Sequence, residues 1–139
     1  MAHGSYLAAC AEVSVSPQGM LKMHRIVAAI DPGYAVNPAL IERQIAGSFV
    51  FGLTGLFLGG IEVKDGRVVQ ENFDTYDSMR IAQMPKVESI VMPSHSGVWG
   101  GVGEPTICVA PPAVLNAITA ATGTRYRTFP LRDHGLTLV

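Results

Sequence analysis

Hydrophobic and polar residues alternate from residue 6 to residue 15, so every second side chain would lie on the same face. A period of two predicts a β-strand. Its apolar face would carry Leu7, Ala9, Ala11, Val13 and Val15. A turn with Pro17 and Gly19 follows, and a second strand is predicted over 20–30. The apolar phase of this strand changes after His24, which indicates a β-bulge or burial on both faces.

A helix is predicted over residues 38–58, because Asn37 and Pro38 suit an N-cap and a first helical position. Large apolar residues at helical spacing give it one core stripe. That stripe is Ile41, Ile45, Phe49, Leu53 and Leu56. A second stripe carries one amide and three small residues: Gln44, Ser48, Gly52 and Gly55. Glycine costs a helix about 1 kcal/mol relative to alanine. The second stripe therefore indicates either tight packing on a sheet or close approach of another backbone or a ligand.

The middle of the chain is predicted to contain a hairpin, a further strand and a glycine-rich loop. Asp65-Gly66 between two apolar runs is a strong hairpin signal. Residues 72–85 are polar and irregular, and residues 86–92 alternate again as a strand. Residues 94–105 carry the glycines of the predicted loop.

A second helix is predicted over residues 112–122, because a proline opens it and Gly123 suits the position just after its end. Residues 126–131 are predicted as a closing strand, and the tail 132–139 as frayed or bound to a partner. The element order is ββ-α-ββ-β-α-β. This order predicts an α+β fold in one domain over 1–139, with an antiparallel or mixed sheet and two helices packed on one of its faces.

The composition limits the classes of function that the chain can have. Of its 139 residues, 48% are hydrophobic and 15% are charged, against about 25% charged in ordinary globular domains. Such a chain has a core to bury, which excludes extended disorder. The net charge of −1 offers no excess of basic residues to neutralise phosphates, so we expect no nucleic-acid partner. The low charge also indicates that part of the surface faces a partner, either a second copy or a complementary subunit.

Cysteine usage and hydropathy bear on the compartment. Cys10 and Cys108 show no metal-binding spacing and are predicted to be buried thiols in a reducing, cytoplasmic setting. The first residues carry no signal-peptide pattern. Residues 45–61 contain no charge, but their five glycines and the missing aromatic belt favour a buried helix over a membrane span. The four histidines are scattered and match no metal motif, so no metal ligand is predicted.

Glu104 is the candidate catalytic residue that the sequence offers. It stands in Gly97-Val98-Trp99-Gly100-Gly101-Val102-Gly103-Glu104-Pro105, a loop with one carboxylate among four glycines. Pro105 is expected to hold the Glu104 backbone extended, and the neighbouring glycines leave space in front of the carboxylate. Such a group suits general-base chemistry. The alternative is a glycine-rich connection with a solvated glutamate.

Several segments together resemble the end of the catalytic subunit of molybdenum hydroxylases, the xanthine dehydrogenase and aldehyde oxidase family. They include Gly100-Gly101-Val102-Gly103-Glu104-Pro105, Ala110-Pro111-Pro112-Ala113-Val114-Leu115-Asn116-Ala117-Ile118, Asp31-x-Gly33 with Asn37-Pro38, and Gln44-Ile45-x-Gly47 with Val50-x-Gly52-Leu53. The similarity covers about residues 3 to 132 and is greatest to isoquinoline 1-oxidoreductase-like large subunits. Close relatives usually have another glycine after the Glu-Pro pair, where this chain has Thr106.

The resemblance implies roles for three residues. Glu104 would be the general base that takes a proton from a molybdenum-bound hydroxyl, while Gln44 and Gly103 would contact the molybdopterin cofactor. The family's subunit is several times longer, and this chain lacks its upstream cofactor-binding segments. We therefore expect no cofactor on the chain alone. Two hypotheses stand: a fragment or split subunit that hydroxylates an N-heteroaromatic or aldehyde carbon with a complementary chain, or a folded remnant that serves for binding or oligomerisation.

Overall fold

The structure is a computed structural model that describes residues 3–94 and 97–139. Its main elements follow each other along the chain as β1 (Tyr6–Val15), β2 (Met20–Asp31), α1 (Pro38–Phe57), β3 (Val63–Lys64), β4 (Arg67–Val68), β5 (Lys86–Val91), α2 (Glu104–Ile107), α3 (Ala110–Thr122) and β6 (Thr137–Leu138). Short 3-10 helices lie at Ile81–Gln83 and Leu131–His134.

The main sheet is mixed and has β2 at its centre. β1 pairs with β2 antiparallel, whereas β5 and β6 both run parallel to β2. Helix α3 packs against β1 and helix α1 against β5, and the two helices contact each other. The predicted α+β fold with a mixed sheet and two helices on one face is confirmed. The hairpin predicted at Asp65-Gly66 is also present, as β3 and β4.

A β-bulge explains the change of apolar phase in β2. Glu12 pairs with Arg25 and Val13 pairs with Met23, so His24 is an extra residue without a partner opposite it in β1. Its side chain is exposed and its Nε2 lies 2.8 Å from the Ser14 hydroxyl. The extra residue keeps both halves of β2 facing the core although their apolar positions are out of phase.

Helix α1 forms as its sequence predicts and supplies the centre of the core. The Asn37 side chain accepts a hydrogen bond from the backbone N–H of Leu40 at 3.3 Å and caps the helix. All five residues of the predicted core stripe are buried. They share one hydrophobic core with apolar residues of the sheet and of α3: Leu21, Ile26, Ile30, Val114 and Ile118.

The end of the chain corrects two predictions. Residues 126–130 are irregular, and the closing strand is β6, which pairs with the first residues of β2. The tail is not frayed, because Leu136 and Leu138 are buried in the core and the Val139 N–H donates to the Leu21 carbonyl at 2.9 Å. A two-residue strand is too short to show a period, so the pattern could not place it. Helix α3 also begins at Ala110, two residues before its predicted start.

The burial of the two thiols differs from expectation. Cys10 and Cys108 are both free, as predicted, but both are exposed rather than buried. Cys10 lies on the outward face of β1, and the Cys108 Sγ lies 2.9 Å from the Pro105 carbonyl. By length and composition alone, one helical stretch of the described residues could cross a membrane, Glu104–Thr122, and 33% of an 18-residue window within it is buried.

Candidate functional site

The glycine-rich loop is fixed to the rest of the fold at two consecutive residues. The Gly100 N–H donates to the Pro32 carbonyl at 2.8 Å, and the Gly101 N–H donates to the His3 carbonyl at 2.9 Å. The buried Ser5 hydroxyl donates to the Gly101 carbonyl at 2.6 Å. A side chain at Gly100 would collide with the Ser5 Oγ. The glycines therefore let the loop pass close beside the start of β1. His95, which lies upstream in the same connection, is outside the described residues.

Glu104 is the first residue of α2, which corrects the expectation of an extended backbone. Proline is tolerated in the first turn of a helix, since its missing N–H would have no intrahelical acceptor there. Pro105 therefore begins a short helix here and does not prevent one. The Glu104 side chain is exposed. Its carboxylate has no hydrogen-bond or ion-pair partner within residues 3–94 and 97–139.

The structure brings the three predicted site residues together. Gln44 lies on the exposed side of α1, and Gly103 immediately precedes Glu104. A Cβ placed on Gly103 would lie 3.4 Å from the Gln44 Oε1 and would meet no other residue within 4 Å. Like Glu104, the Gln44 amide has no hydrogen-bond partner in the part of the chain that the structure describes. An unpaired amide on α1 thus lies beside an open glycine, and the residue that follows this glycine carries an unpaired carboxylate.

The stripe of small residues on α1 packs against the α2 segment. A Cβ at Gly52 would lie 2.6 Å from the Ile107 carbonyl oxygen, so only glycine allows this approach. Ser48 is buried and its hydroxyl hydrogen-bonds to that of Thr106. Gly55, at the far end of the stripe, meets nothing within 4 Å. The stripe could indicate tight packing on a sheet or the close approach of another backbone or a ligand. At its centre, Ser48 and Gly52, the structure shows the close approach of a neighbouring backbone.

Sequence reasoning missed the role of Thr106 and Ser48 in this contact. The sequence indicates Thr106 only as a departure from the glycine of the family it resembles, yet its side chain is fully buried and hydrogen-bonds to α1. A signal was present, since Ser48 follows Gln44 by one helical turn and so lies on the same face. The sequence could not show that Ser48 and Thr106 bond to each other, because they are 58 positions apart in the chain.

Two other clusters of polar and aromatic side chains lie outside this site. Trp99 is exposed and its ring centroid lies 4.7 Å from that of Tyr34. On the sheet, the Lys86 ammonium hydrogen-bonds Glu88 and lowers the pKa of that carboxyl, with Arg25 adding to the effect. Within residues 3–94 and 97–139, no group of three or more His, Cys, Asp and Glu side chains could hold a metal ion.

An apolar cavity of about 380 Å³ lies on another side of α1. Its lining includes Gly47, Val50, Phe51, Phe73 and Tyr76. Phe51 and Phe73 are 72% and 94% exposed, respectively. Large apolar side chains with this exposure are typical of a surface that another chain or segment covers.

Comparison with known proteins gives one consistent result. The molybdopterin cofactor-binding domain family matches residues 2–85. The chain is 32% identical over 114 residues to the membrane-bound aldehyde dehydrogenase [pyrroloquinoline-quinone] of Gluconacetobacter polyoxogenes, which covers 82% of this chain and 15% of that protein. It is 26% identical over 115 residues to the isoquinoline 1-oxidoreductase subunit beta of Brevundimonas diminuta, over 83% of this chain and 15% of that protein.

A solved structure shares the fold. The aldehyde oxidoreductase of Desulfovibrio gigas superposes with a TM-score of 0.75 at 23% identity, over 91% of this chain and 14% of that one. The chain thus spans about 15% of the length of the curated relatives it matches.

Proposed function

Because the chain belongs to the molybdopterin cofactor-binding domain family, we propose that it is the part of a molybdenum hydroxylase that supplies the general-base glutamate. The observation that carries this proposal is the position of Glu104, which bears an exposed carboxylate unpaired within the described residues and directly follows Gly103, the glycine beside Gln44. The substrate is an aldehyde or N-heteroaromatic carbon, the two classes named in the relatives from Gluconacetobacter and Brevundimonas.

The residues present fit a polar group that approaches between α1 and α2. Gln44 offers both an N–H donor and a carbonyl acceptor, and Gly103 leaves room because a Cβ there would meet only Gln44. These two residues would hold molybdopterin. When bound, the cofactor supplies the two-electron oxidant for the hydroxylation.

Glu104 would carry the proton transfer of this reaction. An ionised carboxylate accepts a proton from the oxygen nucleophile as that oxygen attacks carbon, and a positioned base typically contributes 10²–10⁴-fold to the rate. Two features support this role. The carboxylate forms no ion pair with a basic side chain within residues 3–94 and 97–139. The hydrogen bonds of Gly100 and Gly101 fix the loop that leads to it.

A complementary chain would provide the segments that this one does not contain. The isoquinoline relative is itself named as a subunit, and the chain spans about 15% of it. The apolar cavity with Phe51 and Phe73 is a surface that such a chain would cover. We place the assembly in the cytoplasm, a setting in which the free thiols of Cys10 and Cys108 stay reduced.

A binding or oligomerisation module without catalysis is the second candidate function. The same exposed apolar surface favours it, because two copies could cover each other's Phe51 and Phe73. In this case Glu104 would be a solvated loop carboxylate.

Activity of Glu104→Gln tests the first proposal against the second. The chain is co-expressed with the remaining segments of the subunit, and hydroxylation of an aldehyde and of an N-heteroaromatic is measured. Glutamine keeps the size of the side chain but removes the base, so turnover should fall at least 100-fold. Glu42→Gln, an exposed glutamate on α1, is the matched control and should keep turnover. Turnover of Glu104→Gln near that of the unmodified chain would contradict the role of Glu104.

Failure of every reconstitution, with cofactor present on the complementary chain, would favour the binding module. Thermal unfolding of Glu104→Gln separates loss of the base from loss of the fold. Since the carboxylate is exposed and unpaired in the described chain, the melting temperature should stay within about 2–3 °C of the unmodified value.

A further inference from the structure

Two buried hydroxyls join the helix that carries Gln44 to the turn that carries Glu104. The Ser48 hydroxyl in α1 and the Thr106 hydroxyl in α2 form a short hydrogen bond. Thr106 is fully buried and Ser48 is 8% exposed. Every buried side-chain oxygen or nitrogen of the described chain has a hydrogen-bond partner, so this pair belongs to a satisfied network and leaves no polar atom unpaired.

The pair extends on both sides to a backbone carbonyl. The Ser48 Oγ lies 2.8 Å from the Ile45 carbonyl, and the Thr106 Oγ1 lies 2.8 Å from the Gly103 carbonyl. Each hydroxyl has one proton. One of the two protons therefore lies between the hydroxyls, and the other goes to one of the two carbonyls. In both arrangements the hydrogen bond between the two hydroxyls joins α1 to α2. When Ser48 is the donor to Thr106, the Thr106 hydroxyl also donates to the Gly103 carbonyl.

This network is close along the chain to both the predicted base and the predicted cofactor contact. Ser48 is one helical turn after Gln44, and Thr106 is two residues after Glu104. Helix α2 has four residues, too few to be stable without tertiary contacts. The position of Glu104 relative to Gln44 therefore depends on what fixes α2 to α1. Two contacts that do this directly are the hydroxyl pair and the close packing of Ile107 on Gly52.

We propose that Ser48 and Thr106 are positioning residues that hold Glu104 at a fixed distance from Gln44. The proposal rests on the proposed function of Glu104 for its catalytic consequence, but the restraint itself is a property of this chain. A base that acts on a reacting oxygen must be placed accurately, since a displacement of about 1 Å can cost 10²-fold in rate. A residue without a hydroxyl at position 106 could not make this bond, so the restraint depends on the threonine.

Backbone order in the 139-residue chain tests the restraint without any cofactor. Thr106→Val keeps the shape of the side chain and removes the hydroxyl, whereas Thr106→Ser keeps the hydroxyl and removes the methyl group. Order parameters from ¹⁵N relaxation are measured at Gly103, Glu104 and Ile107. We expect them to fall in Thr106→Val from the level of about 0.85 that is typical of rigid backbone. They should return to it in Thr106→Ser, while the amides of α3 stay unchanged in both variants.

Kinetics of the reconstituted enzyme provide the second readout. In Thr106→Val, kcat should fall about 10- to 100-fold with KM within twofold, and Thr106→Ser should restore most of it. A purely structural role of the hydroxyl would lower the melting temperature and would leave kcat per folded molecule unchanged. That result, or unchanged order parameters at Gly103 and Glu104, would overturn the proposal.

The two proposals fail in different ways. If Glu104→Gln keeps its turnover, the base assignment is wrong, whatever the order parameters show. If Glu104→Gln is inactive and Thr106→Val is fully active, the positioning proposal is wrong and the base assignment stands. Ser48→Ala removes the same hydrogen bond from the α1 side and replaces Thr106→Val should that variant fail to fold. Unfolding of both variants would also overturn the proposal, because the pair would then maintain the core as a whole.

Discussion

Gly52 in α1 lies directly against the carbonyl of Ile107 in α2, and a Cβ added to it would be 2.6 Å from that oxygen. The contact joins the core helix to the short helix that begins with Glu104. Because the atom in the way is a backbone oxygen, a side chain at this position could not be accommodated by a change of rotamer. Glycine at this position makes α1 intrinsically less stable than alanine would, but it allows α2 to approach closely.

Gly52→Ala should therefore destabilise the chain although alanine favours a helix. Overpacking against a backbone costs about 1–3 kcal/mol, and we expect a lower melting temperature together with shifted amide resonances for Glu104, Thr106 and Ile107. Thermal unfolding and a two-dimensional NMR spectrum measure both effects. A variant that is more stable than the unmodified chain would show that α2 does not need this close approach.

Gly55→Ala is the matched change at the other end of the same stripe and should have the opposite sign. Nothing lies within 4 Å of a Cβ at this position, so only the intrinsic preference for helix remains. We expect a gain of up to about 1 kcal/mol, measured by chemical denaturation with an unchanged m-value. A loss of stability would indicate a backbone at Gly55 that alanine cannot adopt.

Long elements with regular burial could be predicted from the sequence. The period of two identified β1 and β2, and the spacing of Ile41, Ile45 and Phe49 identified the buried face of α1. These patterns exist because one side of each element packs on the core over several turns or pleats. The bulge at His24 was also visible, since it is the place where the alternation changes phase.

Short elements could not be predicted, because they form through contacts with distant residues. Helix α2 has four residues and is held by Ser48 and Gly52 of another helix. Strand β6 has two residues and is held by its pairing with β2. For the site, the residues alone indicated Glu104 as a candidate. The role of Gln44 as a cofactor contact became an expectation only through the family resemblance.

The ion-pair cluster on the sheet should make stability depend on pH in the acid range. The hydrogen bond from Lys86, and the charge of Arg25, lower the pKa of Glu88 in the folded chain. An unfolded glutamate titrates near pH ~4.3. The stabilisation is therefore fully present above that pH, and it is lost as the pH falls from there through the lower folded pKa.

Glu88→Gln should accordingly lower the melting temperature slightly at pH 7 and should have a smaller effect near pH 3. High salt should reduce the difference at pH 7, because the three side chains are partly exposed. Glu71→Gln, an exposed glutamate outside the ion pairs of the described chain, serves as the control. A constant difference between Glu88→Gln and the unmodified chain from pH 3 to pH 7 would contradict the role of charge.

The 139-residue chain expressed alone should fold and should contain no molybdenum. Folding is expected because α1, α3 and the sheet enclose one hydrophobic core. The cofactor is expected to be absent because the chain spans about 15% of its curated relatives and offers few groups, Gln44 and Gly103 among them, to hold it. Metal analysis of the purified chain, with circular dichroism to verify folding, tests both parts. Molybdenum at one atom per chain would contradict the prediction.

Self-association through the surface around Phe51 and Phe73 is expected of the chain alone. Phe73 is 94% exposed and lines the apolar cavity beside α1. Burying a phenylalanine side chain contributes about 1.5–3 kcal/mol, and each 1.4 kcal/mol corresponds to a tenfold change in Kd. Phe73→Ser should therefore weaken association at least about tenfold in sedimentation experiments at several concentrations. Val36→Ser, which removes an exposed apolar side chain from the loop before α1, should leave association unchanged. Equal effects of the two variants would mean that association does not use this cavity. A monomer at all concentrations would contradict self-association, and the surface would then be available for a complementary chain.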